Sequence, residues 1–547
     1  MYLLQIYVLF SNIYLFHCLK SLLFIPLDER FTTRNIVLNL GNLIKDDYEL
    51  ITPSLDIISH WKSPANIDAL QTWLNEEIIK SNCTNENNNI CYSLISSELL
   101  FYGGLIHSRC SNDSVSIIQS RIEQLINLKR KYSSSLKLYL SQIIMRIPAY
   151  DEDFEEPHYW AIYGRLIFEW SFYYDRYTVL HQQSDYDEMK EREKKIPENV
   201  LNEFLWRRQR NYNVTNLILT EYSQYFEKIW ITLDDNALYG LNKAEERNLT
   251  DLINNILNIT DKVNLYPGAD EVSLTMLSKI VVDDLSLTNK LRFSIIYRNT
   301  STVNFIPNYE GSPLNESIVK QVNAAGGIVV SNNDPNFNLN NTDVIVIVNN
   351  WSTNAQQEAT QTQTCENYTT LEQFLNYSSE KAIVLADVRY SNGGDLCFVD
   401  WILNNKTTQG LLKFGNYSYA GWNTNGNTLG TCISNGMLLS LFQTNVNTIN
   451  QNKRFTLYRF AEDAKYQASL RQSLYEYLTQ VSYDPTDHLD VDIDFYSQFV
   501  QKGLRHYVQQ IQKEWNLESL YFPWNRTFEI GFSINSALQI SLDTYQH

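Results

Sequence analysis

The sequence predicts an α/β fold built on a largely parallel β-sheet of βα units. Short apolar runs such as 22–27 (LLFIPL) and 228–233 (KIWITL) alternate with longer segments of helical periodicity. The runs are apolar at consecutive positions, which is typical of parallel strands that are buried on both faces. Several runs end in a polar cluster before the next helix begins, which is where α/β proteins place their sites.

Ten runs are predicted as strands because they are short, apolar and flanked by turn or helix signals. They are 22–27, 48–52, 92–101, 137–147, 228–233, 262–266, 293–297, 327–330, 343–348 and 381–386. Four segments have the apolar spacing of helices, namely 114–132, 243–257, 270–282 and 317–325. Ten strands exceed the eight of a single barrel, so we expect either a barrel-like sheet over about 22–300 or an open doubly wound sheet.

Four regions are predicted along the 547 residues. Residues 1–20 form a signal peptide, 21–300 the main α/β domain, 301–450 a second βα part, and 451–547 a mainly helical C-terminal region. A helical insertion near 152–210, rich in aromatic and charged residues, interrupts the main domain.

The charge balance excludes a general nucleic-acid binder. The chain has 44 Lys and Arg against 62 Asp and Glu, a formal net charge of −18. Most of such a surface repels phosphate. Hydrophobic residues make up 44% of the chain, which is enough to build a core and argues against disorder.

The N-terminus and the asparagines predict a secreted or endomembrane-luminal glycoprotein. Residues 1–16 are nearly all apolar or aromatic, a run that is short for a bilayer span and typical of a signal peptide. No later stretch approaches 18 apolar residues, so we expect no membrane span after signal removal. Fourteen Asn-x-Ser/Thr sequons follow, although an Asn-rich chain also forms sequons by chance. Cys83 and Cys91 flank a polar loop and are predicted to form a disulfide.

Two acidic pairs at strand ends are the strongest chemical signal. Asp234 and Asp235 follow one predicted strand, and Asp270 and Glu271 follow the next. Neighbouring carboxylates raise one another's pKa and can produce a general acid at neutral pH. Most glycosidases use two such carboxylates. We therefore predict these four residues as catalytic; the alternative is that they cap helices.

Other polar clusters at strand ends predict substrate contacts. The Trp in the last cluster could stack on a sugar ring, and Asn side chains suit hydroxyl recognition. The alternative is that these residues form structural ion pairs and turns. The predicted substrate-binding residues are Asp28, Arg30, Arg109, Arg146, Asp387, Asn392, Asp395, Trp422, Asn423 and Asn427.

Motifs of several enzyme classes are missing from the sequence. It has no GxSxG, HExxH or GxGxxG, and its Cys and His residues lack zinc-site spacing. The predicted function is a secreted, hydrolase-like protein, with a glycan or other small polar molecule as substrate and no cofactor. The alternatives are a non-catalytic carbohydrate-binding or surface protein, and a hydrolase whose aspartates hold a divalent metal ion.

Seven motifs occur together in one order: PLDER, YGGLIHSR, IIMRIP, TLDDNALYGLNKAE, YPGADEVSLTML, ADVRYSNGGD and AGWNTNGNTLGT. With these motifs the chain resembles a largely bacterial family catalogued as domain of unknown function 4127, over roughly 22–468. Phe31 stands where that family has Pro, and the Asn-rich loops look like additions. The resemblance implies one framework for all the clusters, and it implies no activity.

Overall fold

The computed structural model describes residues 19–84, 89–330, 338–404, 415–480, 489 and 492–536. These residues form two open parallel sheets with helices around them, which confirms the predicted α/β class and the largely parallel pairing. Neither sheet closes into a barrel within the described ranges. Most of the predicted signal peptide, 1–20, lies outside the described residues, and Lys20 begins the first strand.

The first sheet has six strands in the order β2-β1-β3-β4-β5-β6. They are β1 (Lys20–Ile25), β2 (Tyr48–Ile51), β3 (Cys91–Ser96), β4 (Leu136–Ile144), β5 (Phe226–Leu233) and β6 (Val263–Pro267). The second sheet has five strands in the order β8-β7-β9-β11-β13. They are β7 (Arg292–Tyr297), β8 (Ile328–Val330), β9 (Val344–Asn350), β11 (Ala382–Val388) and β13 (Tyr417–Ala420).

Two smaller strand pairs complete the β-structure. The short strands β10 (Gln357–Glu358) and β12 (Tyr390–Ser391) pair in parallel. Near the C-terminus, β14 (Trp515–Tyr521) and β15 (Gly531–Ser536) form an antiparallel hairpin.

The α-helices of the first sheet and its connections lie between 36 and 284. They are α1 (Ile36–Gly41), α2 (Ile67–Lys80), α3 (Ser97–Tyr102), α4 (Leu105–Cys110), α5 (Val115–Lys131), α6 (Trp160–Leu180), α7 (Gln183–Glu193), α8 (Glu198–Leu217), α9 (Leu241–Asp251) and α10 (Val272–Asp284). Helices α6, α7 and α8 occupy the place of the predicted insertion.

The remaining helices accompany the second sheet and the C-terminal region. They are α11 (Leu314–Ala325), α12 (Glu372–Leu375), α13 (Leu396–Asn404), α14 (Asn425–Phe442), α15 (Val446–Arg459), α16 (Arg471–Gln480) and α17 (Ile493–Ile511). A wider π-helical stretch, Phe460–Leu470, joins α15 to α16.

Both sheets have the same topology. In each sheet the first strand in sequence lies between the second and the third, so the winding direction reverses beside that first strand. In open α/β sheets this reversal creates a crevice at the carboxyl ends of the strands, where ligands bind. The fold therefore contains two such crevices, one for each sheet.

One apolar core spans the first sheet, α10 and the C-terminal region. Buried residues from β1, such as Phe24, pack with Leu277 of α10 and with Phe532 of the hairpin. Helix α10 also packs against α14 of the second sheet. The hairpin and the helices before it are thus fixed against the first sheet by apolar burial.

The segment 92–101, predicted as one strand, is a strand followed by a helix. Strand β3 ends at Ser96 and α3 begins at Ser97. Every residue of α3 is buried, and a run that is apolar on all sides has no periodicity that separates strand from helix. The carboxylate of Glu98 accepts hydrogen bonds from the Ser96 and Ser97 hydroxyls and from the Ile143 backbone N–H. These hydrogen bonds stabilise the change from strand to helix at this point.

Two disulfides are formed within the described residues. Cys83 and Cys91 are joined as predicted, and Cys365 is joined to Cys397. Disulfides of this kind are compatible with an extracellular protein. None of the described helices is both long and apolar enough to cross a membrane.

Candidate functional site

A cavity of about 280 Å³ lies where the carboxyl ends of both sheets meet the C-terminal region. Residues from separate elements therefore share one polar pocket. Its lining consists of Arg30, Leu105, Arg146, Tyr150, Glu152, Phe154, Glu155, Asp234, Asp235, Asp270, Tyr309, Asn392, Asn423, Arg471, Tyr475, Arg526, Thr527 and Phe528. Seven residues that the sequence predicts for the site are among them: Arg30, Arg146, Asp234, Asp235, Asp270, Asn392 and Asn423.

Asp234 and Asp235 follow the end of β5 and accept hydrogen bonds from different arginines. Arg109 Nη2 donates to Asp234 Oδ2 at 2.8 Å, and Arg146 Nη1 donates to Asp235 Oδ2 at 2.9 Å. Burial and the neighbouring charge of Asp234 raise the pKa of Asp235 to about 7, although Arg146 acts in the opposite direction. Asp235 is thus a carboxyl group that can hold a proton near neutral pH.

Asp270 stands at the end of β6. Arg30 Nη2 donates to Asp270 Oδ1 at 2.8 Å, and the backbone N–H of Asp270 donates to Asn427 Oδ1 at 3.1 Å. Burial raises the pKa of Asp270 to about 6 against the opposing charge of Arg30. The second oxygen of Asp270, like that of Asp235, has no hydrogen-bond partner among the described residues, so each can bind a ligand.

A continuous ion-pair network forms the floor of the pocket. It joins four arginines to seven carboxylates, namely Arg30, Arg109, Arg146 and Arg526 with Asp28, Glu155, Glu156, Asp234, Asp235, Asp270 and Glu529. Four positive charges cannot neutralise seven carboxylates. This excess is a physical reason why some of the carboxyl groups keep their protons.

Glu155 shows the opposite behaviour within the same network. Burial acts to raise its pKa, but Arg526, Arg146 and Arg109 together hold that pKa well below its usual range. Glu155 is therefore ionised where Asp235 is protonated. Two carboxyl groups in one site with widely separated pKa values are typical of a catalytic acid and its ionised partner.

Four pocket-lining residues have left-handed backbone conformations. They are Asp235 (φ 33°), Tyr309 (φ 63°), Asn392 (φ 57°) and Asn423 (φ 52°). Left-handed backbone is uncommon outside glycine and concentrates at functional sites. The loops are held in place by two hydrogen bonds, from Asn236 N–H to the carbonyl oxygen of Tyr309 at 2.9 Å and from Asn392 N–H to that of Asn423 at 2.8 Å.

Four predicted residues lie behind the lining and support it. Asp28 is buried and accepts from Arg30 at 2.8 Å, and Arg109 is buried against Glu156 at 3.2 Å. Asn427 fixes the backbone of Asp270. Glu271 is fully buried, accepts from the Ala269 N–H at 2.9 Å, and has a pKa that burial raises to about 7. Glu271 therefore has no face toward the pocket.

Three predicted residues lie outside the lining, within the second sheet and its helices. Trp422 is only 3% exposed, its indole N–H donates to Thr431 Oγ1 at 3.2 Å, and Arg459 covers its ring. It has no free face for a sugar, so we remove it from the site. Asp387 and Asp395 are fully buried in a network with Asn349, which donates to both at 2.9 and 3.1 Å.

The aromatic residues of the pocket come from segments in which the sequence predicts no site residue of this kind. Tyr150, Phe154, Tyr475 and Phe528 line the cavity together with Tyr309. Tyr150 and Phe154 belong to the loop after β4, close to the IIMRIP motif. Tyr475 and Phe528 belong to the C-terminal region, where helical periodicity gave no functional signal.

Comparison with known proteins places the chain in a family. Residues 22–533 match the family described as Protein of unknown function (DUF4127). The chain belongs to the DUF4127 family. Every pocket-lining residue of this DUF4127 protein falls inside the matched range. No curated protein and no solved structure matches the chain.

Metal-ion ligation was the alternative use of the aspartates. Within the described part of the chain, no group of three or more His, Cys, Asp or Glu side chains is arranged to hold a metal ion.

Proposed function

We propose that this DUF4127 protein is a secreted hydrolase that cleaves a glycosidic bond in the pocket, with Asp235 as proton donor and Asp270 as partner carboxylate. The observation that carries the proposal is the convergence of two carboxyl groups on one cavity, namely partly buried Asp235 and buried Asp270, with pKa values of about 7 and about 6. Asp235 has the higher pKa and is therefore the acid; Asp270 is ionised first and acts as base or nucleophile.

The surroundings of the two carboxyl groups suit a sugar. Each has one oxygen that is bound and oriented by an arginine, and a second oxygen that has no partner in the described part of the chain and can react. Aromatic side chains in the lining offer surfaces for sugar rings, and Asn392 and Asn423 offer amides for hydroxyl groups. The volume of about 280 Å³ is near the lower end of the usual range for small-molecule pockets, which favours one sugar unit or a chain end.

Secretion is part of the same proposal. Two disulfides support it. Most of the sequon asparagines among the described residues are exposed, which also supports it. Expression with the native N-terminus in a eukaryotic secretory host, followed by analysis of the medium for a processed, glycosylated chain, tests it. Retention of an unprocessed, unglycosylated chain in the cytosol would contradict it.

Catalysis is tested with a panel of aryl glycosides and oligosaccharides and with three variants. Asp235→Asn and Asp270→Asn are each expected to lower turnover roughly 10²- to 10⁴-fold, which is the usual contribution of general acid or base catalysis. Glu271→Gln is the matched control, since Glu271 neighbours Asp270 but does not line the cavity; its turnover should stay within about threefold of the wild type. Unchanged turnover in the first two variants would contradict the proposal.

The pH profile supplies an independent test. The rate constant kcat/KM should rise as Asp270 loses its proton near pH 6 and fall as Asp235 loses its proton near pH 7. Loss of turnover with a chelator, and its return with a divalent cation, would instead indicate the metal-dependent hydrolase. Sugar binding without turnover under any condition would indicate a non-catalytic binding protein.

A further inference from the structure

The arginines of the pocket differ in their partners. Arg30, Arg146 and Arg526 each form ion pairs with at least two carboxylates. Arg471, at the start of α16, lines the same cavity but forms no ion pair with any carboxylate of the described residues. Its positive charge is therefore not neutralised by any carboxylate in the described part of the chain.

The hydrogen bonds of Arg471 leave part of its guanidinium group available. Its Nε donates to the Tyr475 hydroxyl at 2.7 Å, and its Nη1 donates to Gln467 Oε1 at 2.6 Å. A guanidinium group has five N–H donors, so three of them, two on Nη2 and one on Nη1, have no partner among the described residues. Nη1 and Nη2 form the end of the guanidinium group, which can make paired hydrogen bonds to the oxygens of an anion.

The plane of the Arg471 side chain is held by aromatic rings. Its guanidinium carbon lies 5.0 Å from the ring centroid of Phe528 and 5.2 Å from that of Tyr475. The hydroxyl of Thr527 in turn donates to the Tyr475 hydroxyl at 3.1 Å, which fixes that ring. A donor group held in place before the ligand arrives loses less conformational entropy on binding.

We infer that the substrate of this pocket is a sugar bearing a single negative charge, a carboxylate or a sulfate, and that Arg471 binds that charged group. The inference rests on the proposed function and adds the substrate class. Arg471 contacts no member of the carboxylate network, so an anion can approach this wall. The excess of carboxylates elsewhere in the pocket disfavours ligands with two negative charges, such as phosphate esters.

Binding to the purified full chain tests the inference, with isothermal titration of glucuronic acid, galacturonic acid, their uncharged methyl esters, and glucose 6-sulfate. The wild type should bind a charged sugar at least about tenfold more tightly than its uncharged counterpart, as expected for a charge-assisted hydrogen bond. Comparison of the two uronic acids with the sulfate ester identifies which anion the site takes.

Variants assign the preference to Arg471. Arg471→Gln should remove the preference for the charged sugar and leave the affinity for the uncharged one unchanged, while Arg471→Lys should retain a smaller preference because the charge remains without the fork. Arg165→Gln, at a side chain that is 62% exposed on α6 and is not part of the cavity lining, is the matched control and should bind as the wild type does. Thermal unfolding checks that each variant is folded.

The inference is overturned if charged and uncharged sugars bind equally, or if the preference survives in Arg471→Gln. The proposed function fails in a different way, namely if Asp235→Asn and Asp270→Asn leave turnover unchanged. Absence of any sugar binding would overturn both.

Discussion

Replacing Asp235 by Asn should stabilise the folded protein at alkaline pH while it lowers activity. In the folded state Asp235 keeps its proton up to about pH 7, whereas in the unfolded chain it loses the proton near its ordinary value of 3.8. Between these values the unfolded state binds fewer protons than the folded state, so the stability contributed by protonated Asp235 is lost as the pH rises. Asn resembles the protonated side chain and avoids this loss.

The size of the effect follows from the width of that pH window. About three pH units at about 1.4 kcal/mol each give an upper limit of about 4 kcal/mol. The side chain of Asp235 keeps 24% of its surface exposed, and water reduces the cost of its charge, so we expect about 2 to 4 kcal/mol. The gain should be close to zero at pH 4 and complete at pH 8.

Urea denaturation of the wild type and of Asp235→Asn at pH 4 and pH 8 measures this difference. Asp175→Asn is the control, because Asp175 is also buried beside an arginine, Arg247, but lies outside the cavity. Removing the Asp175 charge removes the ion pair with Arg247 and weakens the hydrogen bond that Asp175 accepts from the Gly240 N–H, so it should destabilise the fold at pH 8. A stability difference for Asp235→Asn that is the same at both pH values, or a loss of stability at pH 8, would refute the reasoning.

Three further predictions concern the framework around the pocket. Arg526→Ala removes one of the arginine partners of Glu155 and of Glu529, which leaves the ion-pair network with a larger excess of negative charge. It should lower the free energy of unfolding by about 3 to 5 kcal/mol, measured by urea denaturation, with a change below 1 kcal/mol as the contrary result. Removing the Cys365–Cys397 disulfide should cost about 4 kcal/mol against about 2.5 kcal/mol for Cys83–Cys91, because it closes the longer loop; equal losses in matched Cys→Ala pairs would contradict this. Asn350 is fully buried, so mass spectrometry of the chain expressed in a eukaryotic secretory host should find its sequon unmodified, and a glycan there would be incompatible with the fold.

The sequence was informative about local structure because its signals are local. All ten predicted strands coincide with observed strands, and most of them are buried on both faces and therefore apolar throughout. The run 92–101 is too long because its last five residues belong to α3. The strands β10, β12, β13, β14 and β15 were not among the ten. Strand β13, Tyr417–Ala420, has the sequence YSYA and contains none of the Val, Ile or Leu residues that each of the ten predicted runs contains.

The candidate site was partly predictable for a related reason. Parallel strands present their carboxyl ends at the same edge of a sheet, so polar residues that follow strands, such as Asp235 and Asp270, are expected near one another. Asp387 also lies at a strand end and was predicted for the site for that reason, yet it is fully buried. Position after a strand does not reveal whether another element covers the side chain.

The sequence by itself determined the α/β class, the parallel strands, the Cys83–Cys91 pairing and the acidic strand ends, because periodicity and turn residues act over a few positions. Only the tertiary structure decided which of those ends share a cavity. It buried Trp422 beneath Arg459 and brought Arg471 and Arg526 from the C-terminal region beside Asp270 and its neighbours. The physical reason is that burial, ion pairing and the pKa values that follow from them depend on packing between segments hundreds of residues apart, which no local pattern encodes.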